Sequence, residues 1–330
     1  MRAVVRIVVA CTPVSLAGGK PSGELLRCAD VAMYEAKRTQ SGVAIYRAEA
    51  DPHSRERLAL IDALRDALSS GALILHYQPT LEMQTATISG VEALGRWQHP
   101  SLGLLYPDRF IPLAEQNGMM PELTRAVLEM AVSEAARLYR AGNRLGMSVN
   151  ISRHDLVDED LADYVDDVLA LHGFPADRLT LEVTESALGG DPERARRCVL
   201  RLRDRGVRVS IDDFGGGYSS MSQLLGLTID ELKIDKSFIL ALTSDPRAEA
   251  IVRSTIELAR ALGLTLVAEG IETEEVLRSL QSLGAEIGQG YLISRPLTSQ
   301  KLDEYLAHPD RLRRLLLPEP RLLLTTSKVL

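Results

Sequence analysis

From about residue 71 onward, short apolar runs alternate with longer stretches of helical period. Eight runs read as strands: Ile74–Gln78, Gly90–Arg96, Met147–Asn150, Thr180–Val183, Arg208–Ile211, Glu231–Ile234, Thr265–Ala268 and Ile287–Leu292. Between most of them the apolar positions recur every three to four residues, as in Thr124–Tyr139, Pro192–Arg205, Arg247–Leu262 and Glu274–Leu283. This alternation predicts an α/β fold, a TIM-like (β/α)8 barrel. A doubly wound open sheet is the competing arrangement, but no GxGxxG follows a strand. The first 48 residues read as strand, loop, helix and short strand, too little to bury a core alone. A helical pattern over Ser54–Ser69, carried by Leu58, Ile61, Leu64 and Leu68, follows. The expected organisation is an N-terminal α/β fragment at 1–48, a helical linker at 49–70, the barrel at 71–318 and a C-terminal tail at 319–330. The tail stretch Arg321–Thr326 is apolar and β-prone, and no function is assigned to it.

Composition narrows the function. With 45% apolar and 25% charged residues the chain is an ordinary globular sequence. The net charge of −7 argues against a DNA or RNA groove, which needs a basic face. Cys11, Cys28 and Cys198 lie far apart and the six histidines show no HExxH spacing, so neither a disulfide framework nor a zinc site is expected. A reduced, cytoplasmic setting fits. No apolar stretch approaches the ~18 residues that span a bilayer, so no membrane partner is expected for this chain. The run Val4–Cys11 looks like a lipoprotein signal, but Arg6 interrupts it and it reads better as a strand.

Polar groups sit where a barrel of this kind carries its chemistry, at or near strand C-termini. They are Glu92, Asn150, Glu182, the pair Asp212-Asp213, Lys233 with Asp235, Glu269 with Glu272, and Gln289. One carboxylate after a strand is ordinarily a turn residue or a helix cap. Seven consecutive strands doing so, with Glu92, Glu182 and Lys233 inside apolar runs, is a different situation, because buried charges need partners. Two carboxylates ~4 Å apart repel by about 4 kcal/mol at an effective dielectric near 20. Protons or cations must therefore sit among them. Oxygen donors suit Mg²⁺ or Mn²⁺, and a pair of such ions is a phosphodiester-cleaving arrangement.

The same positions lie in recognisable motifs. Glu92-Ala93-Leu94, Tyr77-Gln78-Pro79, Phe110–Glu115, Ser148–Ser152, Leu181–Ser186, Ile211–Ser220, Leu232–Asp235, Ala268–Thr273 and Gln289–Pro296 together resemble the EAL-domain cyclic di-GMP phosphodiesterases over roughly residues 57 to 310. The resemblance implies a (β/α)8 enzyme that hydrolyses cyclic di-GMP to linear pGpG with two Mg²⁺ or Mn²⁺ ions, and a homodimer through the EAL domain. It implies that Glu92, Asn150, Glu182, Asp212, Asp213 and Asp235 hold metal. Ca²⁺, which prefers looser and higher coordination than Mg²⁺, is expected to inhibit. Glu269 would be the general base or the orienter of the attacking water, and Lys233 would polarise the water or the scissile phosphate. Glu272 and Gln289 would support the metal and water network, Glu185 would steady the loop Asp213–Ser220, and Gln78 and Arg96 would contact substrate. Residues Glu24–Lys37 resemble the end of a GGDEF diguanylate cyclase domain. The signature loop of that domain is absent, so no synthesis of cyclic di-GMP is expected.

Two departures from the family pattern stand out. Gly216 replaces the usual Thr or Ala, which widens the conformations open to its loop. Gly95 replaces an apolar residue after Glu-Ala-Leu. Neither removes a ligand. The alternative reading is a catalytically weak or inactive EAL-type receptor, although such receptors generally lack a metal ligand and none is missing here. A third, an unrelated metal-dependent barrel, rests on fold analogy.

Overall fold

The computed structural model describes residues 55–216 and 226–308, together with Ala29, Ala32, Met33, Ala36 and residues 43–45. The fragment read as a cyclase remnant, Cys11 and Cys28, loop residues 217–220 and the tail at 319–330 thus lie wholly or almost wholly outside the described residues. The chain divides into two compact units, Met1–Ser70 and Gly71–Leu330. Helix α1 (Arg55–Ser70) belongs to the first, and the described strands all lie in the second.

In the second unit β1 (Leu73–Glu82) and β2 (Thr87–His99) form an antiparallel hairpin, and a short β3 (Gly103–Leu105) extends β2. Helices α2 (Pro107–Gln116) and α3 (Met120–Arg140) lead to β4 (Gly146–Ile151). The chain continues through α4 (Leu161–His172), β5 (Leu179–Thr184), α5 (Pro192–Asp204), β6 (Arg208–Phe214) and β7 (Glu231–Ile234). It ends with α6 (Lys236–Ala241), α7 (Pro246–Leu262), β8 (Thr265–Ala268), α8 (Glu274–Leu283), β9 (Ile287–Gly288) and α9 (Ser299–Leu306). Strands β2 and β4 to β9 run parallel, and β1 closes the circle by pairing with both β9 and β2. Leaving β3 aside, the barrel has eight strands, at the eight apolar runs of the sequence.

Two details differ from a regular alternation of strand and helix. β1 is antiparallel to both neighbours and reaches β2 through the tight turn Met83–Ala86, with no helix between. The last predicted strand, Ile287–Leu292, is a strand only at Ile287–Gly288. Beyond it the chain turns, the amides of Ile293 and Ser294 donating to the Gly290 carbonyl, while Gln289 and Leu292 hydrogen-bond the backbone of Ile271. The turn wins because it satisfies Ile271 on both its N–H and its C=O.

The elements follow from local chemistry. Pro192 and Pro246 open α5 and α7 at positions that need no N–H, and Asp191 and Asp245 cap them by accepting from the Arg194 and Arg247 amides. Thr273 caps α8 through the Val276 amide. β5 is buried along nearly its whole length and β7 along all of it, as parallel strands between two layers are. Apolar faces of the helices, such as Leu128, Val132 and Ala135 of α3, pack on the strands in one continuous core.

Gly290 is where close packing leaves no room for a side chain. A Cβ there would lie 2.2 Å from both the backbone nitrogen and the oxygen of Ile271. Backbone cannot move aside as a rotamer can, so Gly290→Ala is expected to cost about 3 kcal/mol or more. Urea unfolding checks this, and a variant within about 0.5 kcal/mol of the parent would contradict it.

Candidate active site

The mouth of the barrel is organised around one buried ammonium. Lys233, in the middle of fully buried β7, is 1% exposed. Its Nζ lies 2.6 Å from Glu269 Oε1, 2.7 Å from Glu182 Oε2, 3.6 Å from Asp212 Oδ1 and 3.7 Å from Glu92 Oε2. These carboxylates come from β5, β6, β2 and the residue after β8. Glu92 is held on its other sides: Asn150 Nδ2 donates to Oε1 at 2.7 Å and Gln289 Nε2 to Oε2 at 2.6 Å.

An irregularity in β6 brings a further carboxylate in. Consecutive residues of a regular strand face opposite sides of the sheet. Here Ile211 pairs with Leu232 and Phe214 with Ile234, so Asp212 and Asp213 together oppose Lys233 in a β-bulge. Asp213 takes a left-handed backbone conformation (φ 56°), which Asp tolerates better than most residues, and its amide donates to Asp212 Oδ1. As a result one carboxylate oxygen each from Asp212, Asp213 and Glu269 lie within 4.8 Å of one another.

The charges do not balance. One ammonium faces four carboxylates, with Asp213 beside them. Burial pushes the Glu269 carboxyl up to about 7 and the Asp212 and Glu92 charges push the same way, against the pull of Lys233. Burial likewise raises Glu182 well above the usual carboxylate range, with Lys233 opposing. Asp213 is raised by burial and by Asp212 and Asp235. Glu92 is the exception. Burial raises it, but Lys233 and the donors Gln289 and Asn150 outweigh that and hold it below its ordinary value. Lys233 is held protonated by its carboxylates despite burial. A donor set of carboxylate oxygens short of positive charge fits a hard divalent cation such as Mg²⁺ or Mn²⁺.

The other residues singled out by sequence lie at varying distance from this cluster. Asp235 caps α6, accepting from the Ser237 amide at 2.7 Å, and its charge acts on Asp213. Gln78 sits opposite Glu92 across the hairpin, buried, its Nε2 donating to the Ser294 carbonyl. Arg96 is buried further along β2, donates to the Gly95 carbonyl at 2.7 Å and lies 4.9 Å from the Tyr106 ring centroid. Glu185 opens the 3-10 turn Glu185–Gly189 after β5. Glu272 is exposed and outside the hydrogen-bonded cluster.

Asp155 was not singled out. It is 1% exposed, and its Oδ2 accepts from the Ser152 amide and hydroxyl, both at 2.7 Å, and from Thr124 Oγ1 at 2.9 Å. It ties the segment after Asn150 to α3. The Ser152-x-x-Asp155 spacing is a capping-box signal that could have revealed it. A cavity of about 620 Å³ opens beside Asn150, with Gly95, Phe110 and Leu123 in its wall. A Cβ on Gly95 would lie 3.7 Å from Phe110 Cζ, an ordinary contact, so the glycine simply leaves that space open.

Fold and site define a closed α/β barrel with an acidic, lysine-centred mouth, and comparison with known proteins says which. The model of the EAL domain matches residues 61–296, so the chain belongs to the EAL-domain family. It is 40% identical over 290 residues to the cyclic di-GMP phosphodiesterase NbdA of Pseudomonas aeruginosa, covering 87% of this chain and 37% of that protein. It is 39% identical over 287 residues to the bifunctional diguanylate cyclase/cyclic di-GMP phosphodiesterase MucR of the same organism, covering 86% and 42%. The solved PaMucR phosphodiesterase in complex with c-di-GMP superposes with a TM-score of 0.71 at 39% identity, over 74% of this chain and 99% of that one. The EAL domain of Mycobacterium smegmatis DcpA does so with a TM-score of 0.62 at 36% identity, over 73% and 98%. The chain spans between 34% and 48% of the curated relatives' length. Among the described residues no helix is long and apolar enough to cross a membrane.

The charge imbalance has a consequence for stability. The folded protein holds the Glu269 proton up to about 7, the unfolded chain only to about 4.5, and Glu182 is shifted the same way. The folded state thus binds more protons across that interval, and stability must fall as pH rises through it, for Glu269 by about 3 kcal/mol at most. With chelator present, Tm is expected to drop by roughly 5 °C between pH 5 and pH 7.5, and Mg²⁺ or Mn²⁺ at pH 7.5 to raise it again. Thermal unfolding measures this, and a flat or rising Tm with chelator would contradict it.

Proposed function

We propose that this chain is a divalent-cation-dependent phosphodiesterase that opens cyclic di-GMP to linear pGpG. The observation that carries the reading is the cluster itself: carboxylates from three barrel strands and from the residue just after a fourth, gathered on one buried ammonium and left short of positive charge. Relatives named for this activity supply the substrate. In this proposal Glu92, Asn150, Glu182, Asp212 and Asp213 hold two ions, Mg²⁺ or Mn²⁺, with Asp235 beside the second. Bound there, the ions would supply a water acidic enough to lose its proton near neutral pH and positive charge for the phosphate oxygens.

The protein side of the reaction follows from the groups described. Glu269, its proton affinity raised to about 7, is matched to taking a proton at working pH, and pairs with Lys233. Lys233, held protonated, steadies negative charge on the scissile phosphate or orients the water. Water oxygen adds to phosphorus as the P–O3′ bond breaks, leaving a 5′-phosphate and a 3′-hydroxyl, which takes up a proton. Gln289 keeps Glu92 in place through its 2.6 Å hydrogen bond, and the family resemblance alone gives Glu272 a supporting part in the metal and water network. Arg96 and Gln78 bind substrate, and the guanidinium fork suits a phosphate. A homodimer through the barrel and a cytoplasmic setting belong to the same proposal, carried by the family resemblance and by composition.

Product analysis of purified protein incubated with cyclic di-GMP tests it. Mg²⁺ or Mn²⁺ should give pGpG, while chelator should abolish turnover. Ca²⁺, which favours looser and higher coordination, should suppress it. Glu269→Ala should lower the rate by about 10²- to 10⁴-fold. No hydrolysis with either metal sinks the proposal. Tight binding without turnover would make the chain a receptor, and faster cleavage of a different phosphodiester would make it another kind of metal-dependent barrel.

A further inference from the structure

Strand β4 loses its neighbours unevenly at a residue the metal site needs. Its ladder to β2 ends at the pair Ala93–Val149, and its ladder to β5 ends two residues later at Ile151–Val183. On the β2 side Asn150 is therefore held through its own amide, whose Nδ2 donates to Glu92 Oε1 at 2.7 Å. With Nδ2 spent there, the atom that Asn150 can offer a cation is Oδ1. A neutral amide brings no charge, so what it adds to cation binding depends on where it is held.

The segment also borders open space. The cavity of about 620 Å³ has Asn150, Ile151, Ser152 and Arg153 in its wall, so packing does not close around this stretch. The restraint comes from the buried carboxylate of Asp155. Its Oδ2 accepts from the Ser152 amide and hydroxyl at 2.7 Å and from Thr124 Oγ1 of α3 at 2.9 Å. The Ser152 carbonyl accepts in return from the Asp155 amide at 3.1 Å and the Leu156 amide at 3.3 Å. Ser152 is thus gripped by its N–H, its C=O and its hydroxyl just past the end of β4, two residues from Asn150. Starting the three-residue 3-10 turn Asp155–Val157 asks for less than this, since a cap works equally well at the surface. Burying a carboxylate against a second element is costly unless donors meet it, and here they come from both sides of the cavity wall.

We infer that Asp155 is a positioning residue for the metal site: through Ser152 it fixes the end of β4, and with it the place of Asn150 Oδ1, and so sets the affinity for a divalent cation. This rests on the reading that Asn150 holds metal. It puts a determinant of metal affinity outside the ligands, in the link between the end of β4 and α3.

Mn²⁺ titrated into the metal-free full chain, without substrate, reads this directly. Asp155→Ala should weaken Mn²⁺ binding about ten- to a hundredfold. Turnover of cyclic di-GMP should need correspondingly more Mn²⁺ for half its maximal rate, with kcat and the substrate KM at saturating Mn²⁺ within about threefold of the parent. Thr124→Val, which removes only the tie to α3, should weaken binding about three- to tenfold, and it carries the test if Asp155→Ala does not fold. Asp155→Asn keeps an acceptor oxygen and should lie nearer the parent than alanine does. Val132→Ala trims a buried side chain of the same helix, so it should lower Tm but leave Mn²⁺ affinity within about twofold. Unchanged Mn²⁺ affinity in Asp155→Ala, or in Thr124→Val where the alanine variant does not fold, overturns the inference while leaving the function intact. So does a loss in Val132→Ala as large as in Asp155→Ala, or a fall in kcat that saturating Mn²⁺ does not restore. A parent protein that binds no Mn²⁺ overturns the functional reading and this inference with it.

Discussion

The structure of the mouth depends on the pairing of Lys233 with the carboxylates around it. An ammonium in the centre of a buried strand is tolerated only with partners, and removing one side of a buried ion pair typically costs 3–5 kcal/mol. Glu182 and Glu269 satisfy it at 2.7 and 2.6 Å, while Asp212 and Glu92 stand about an ångström further off. The same arrangement cannot satisfy all four carboxylates. Burial first, and then their mutual repulsion, raises the proton affinity of Glu269 and Glu182, so the excess negative charge is relieved by protons or by cations. Stability and chemistry are therefore set by one imbalance.

The backbone around the ammonium is irregular where regularity would misplace a ligand. The β6 bulge puts Asp212 and Asp213 opposite Lys233 together. The antiparallel β1 sets Gln78 across from Glu92. The turn after β9, packed on Ile271 with no space for a Cβ at Gly290, delivers Gln289 to Glu92. At Gly216 a Cβ would stand 3.0 Å from Asp235 Oδ2, so glycine gives that carboxyl room that a larger residue would contest.

Much of this was legible in the sequence. Parallel strands buried on both faces appear as short apolar runs, so the barrel strands could be found, and a Glu or Lys inside such a run announces itself. Helix α8 matches its predicted bounds because Thr273 and Gly284 mark its ends chemically. What was not legible depends on pairing rather than on local pattern. Met83–Ala86 carries no Asn-Gly or Asp-Gly signal, so the hairpin and the reversed direction of β1 were hidden. The bulge exists only in the register of β6 against β7, and the shortening of β9 comes from its contact with Ile271. For Asp155 the local bond to Ser152 was legible in the Ser-x-x-Asp spacing, whereas its burial and its contact with Thr124 arise from the packing of α3 against it.

The most direct measurement is calorimetric titration of Mn²⁺ into metal-free protein at about pH 6.5, repeated in buffers of different ionisation enthalpy. An undercompensated cluster holding protons on Glu269 and Glu182 must release them as cations bind. The expected result is saturable binding accompanied by net proton release that shrinks as pH rises above 7. Absence of saturable binding, or binding with no proton release across that range, would contradict the account.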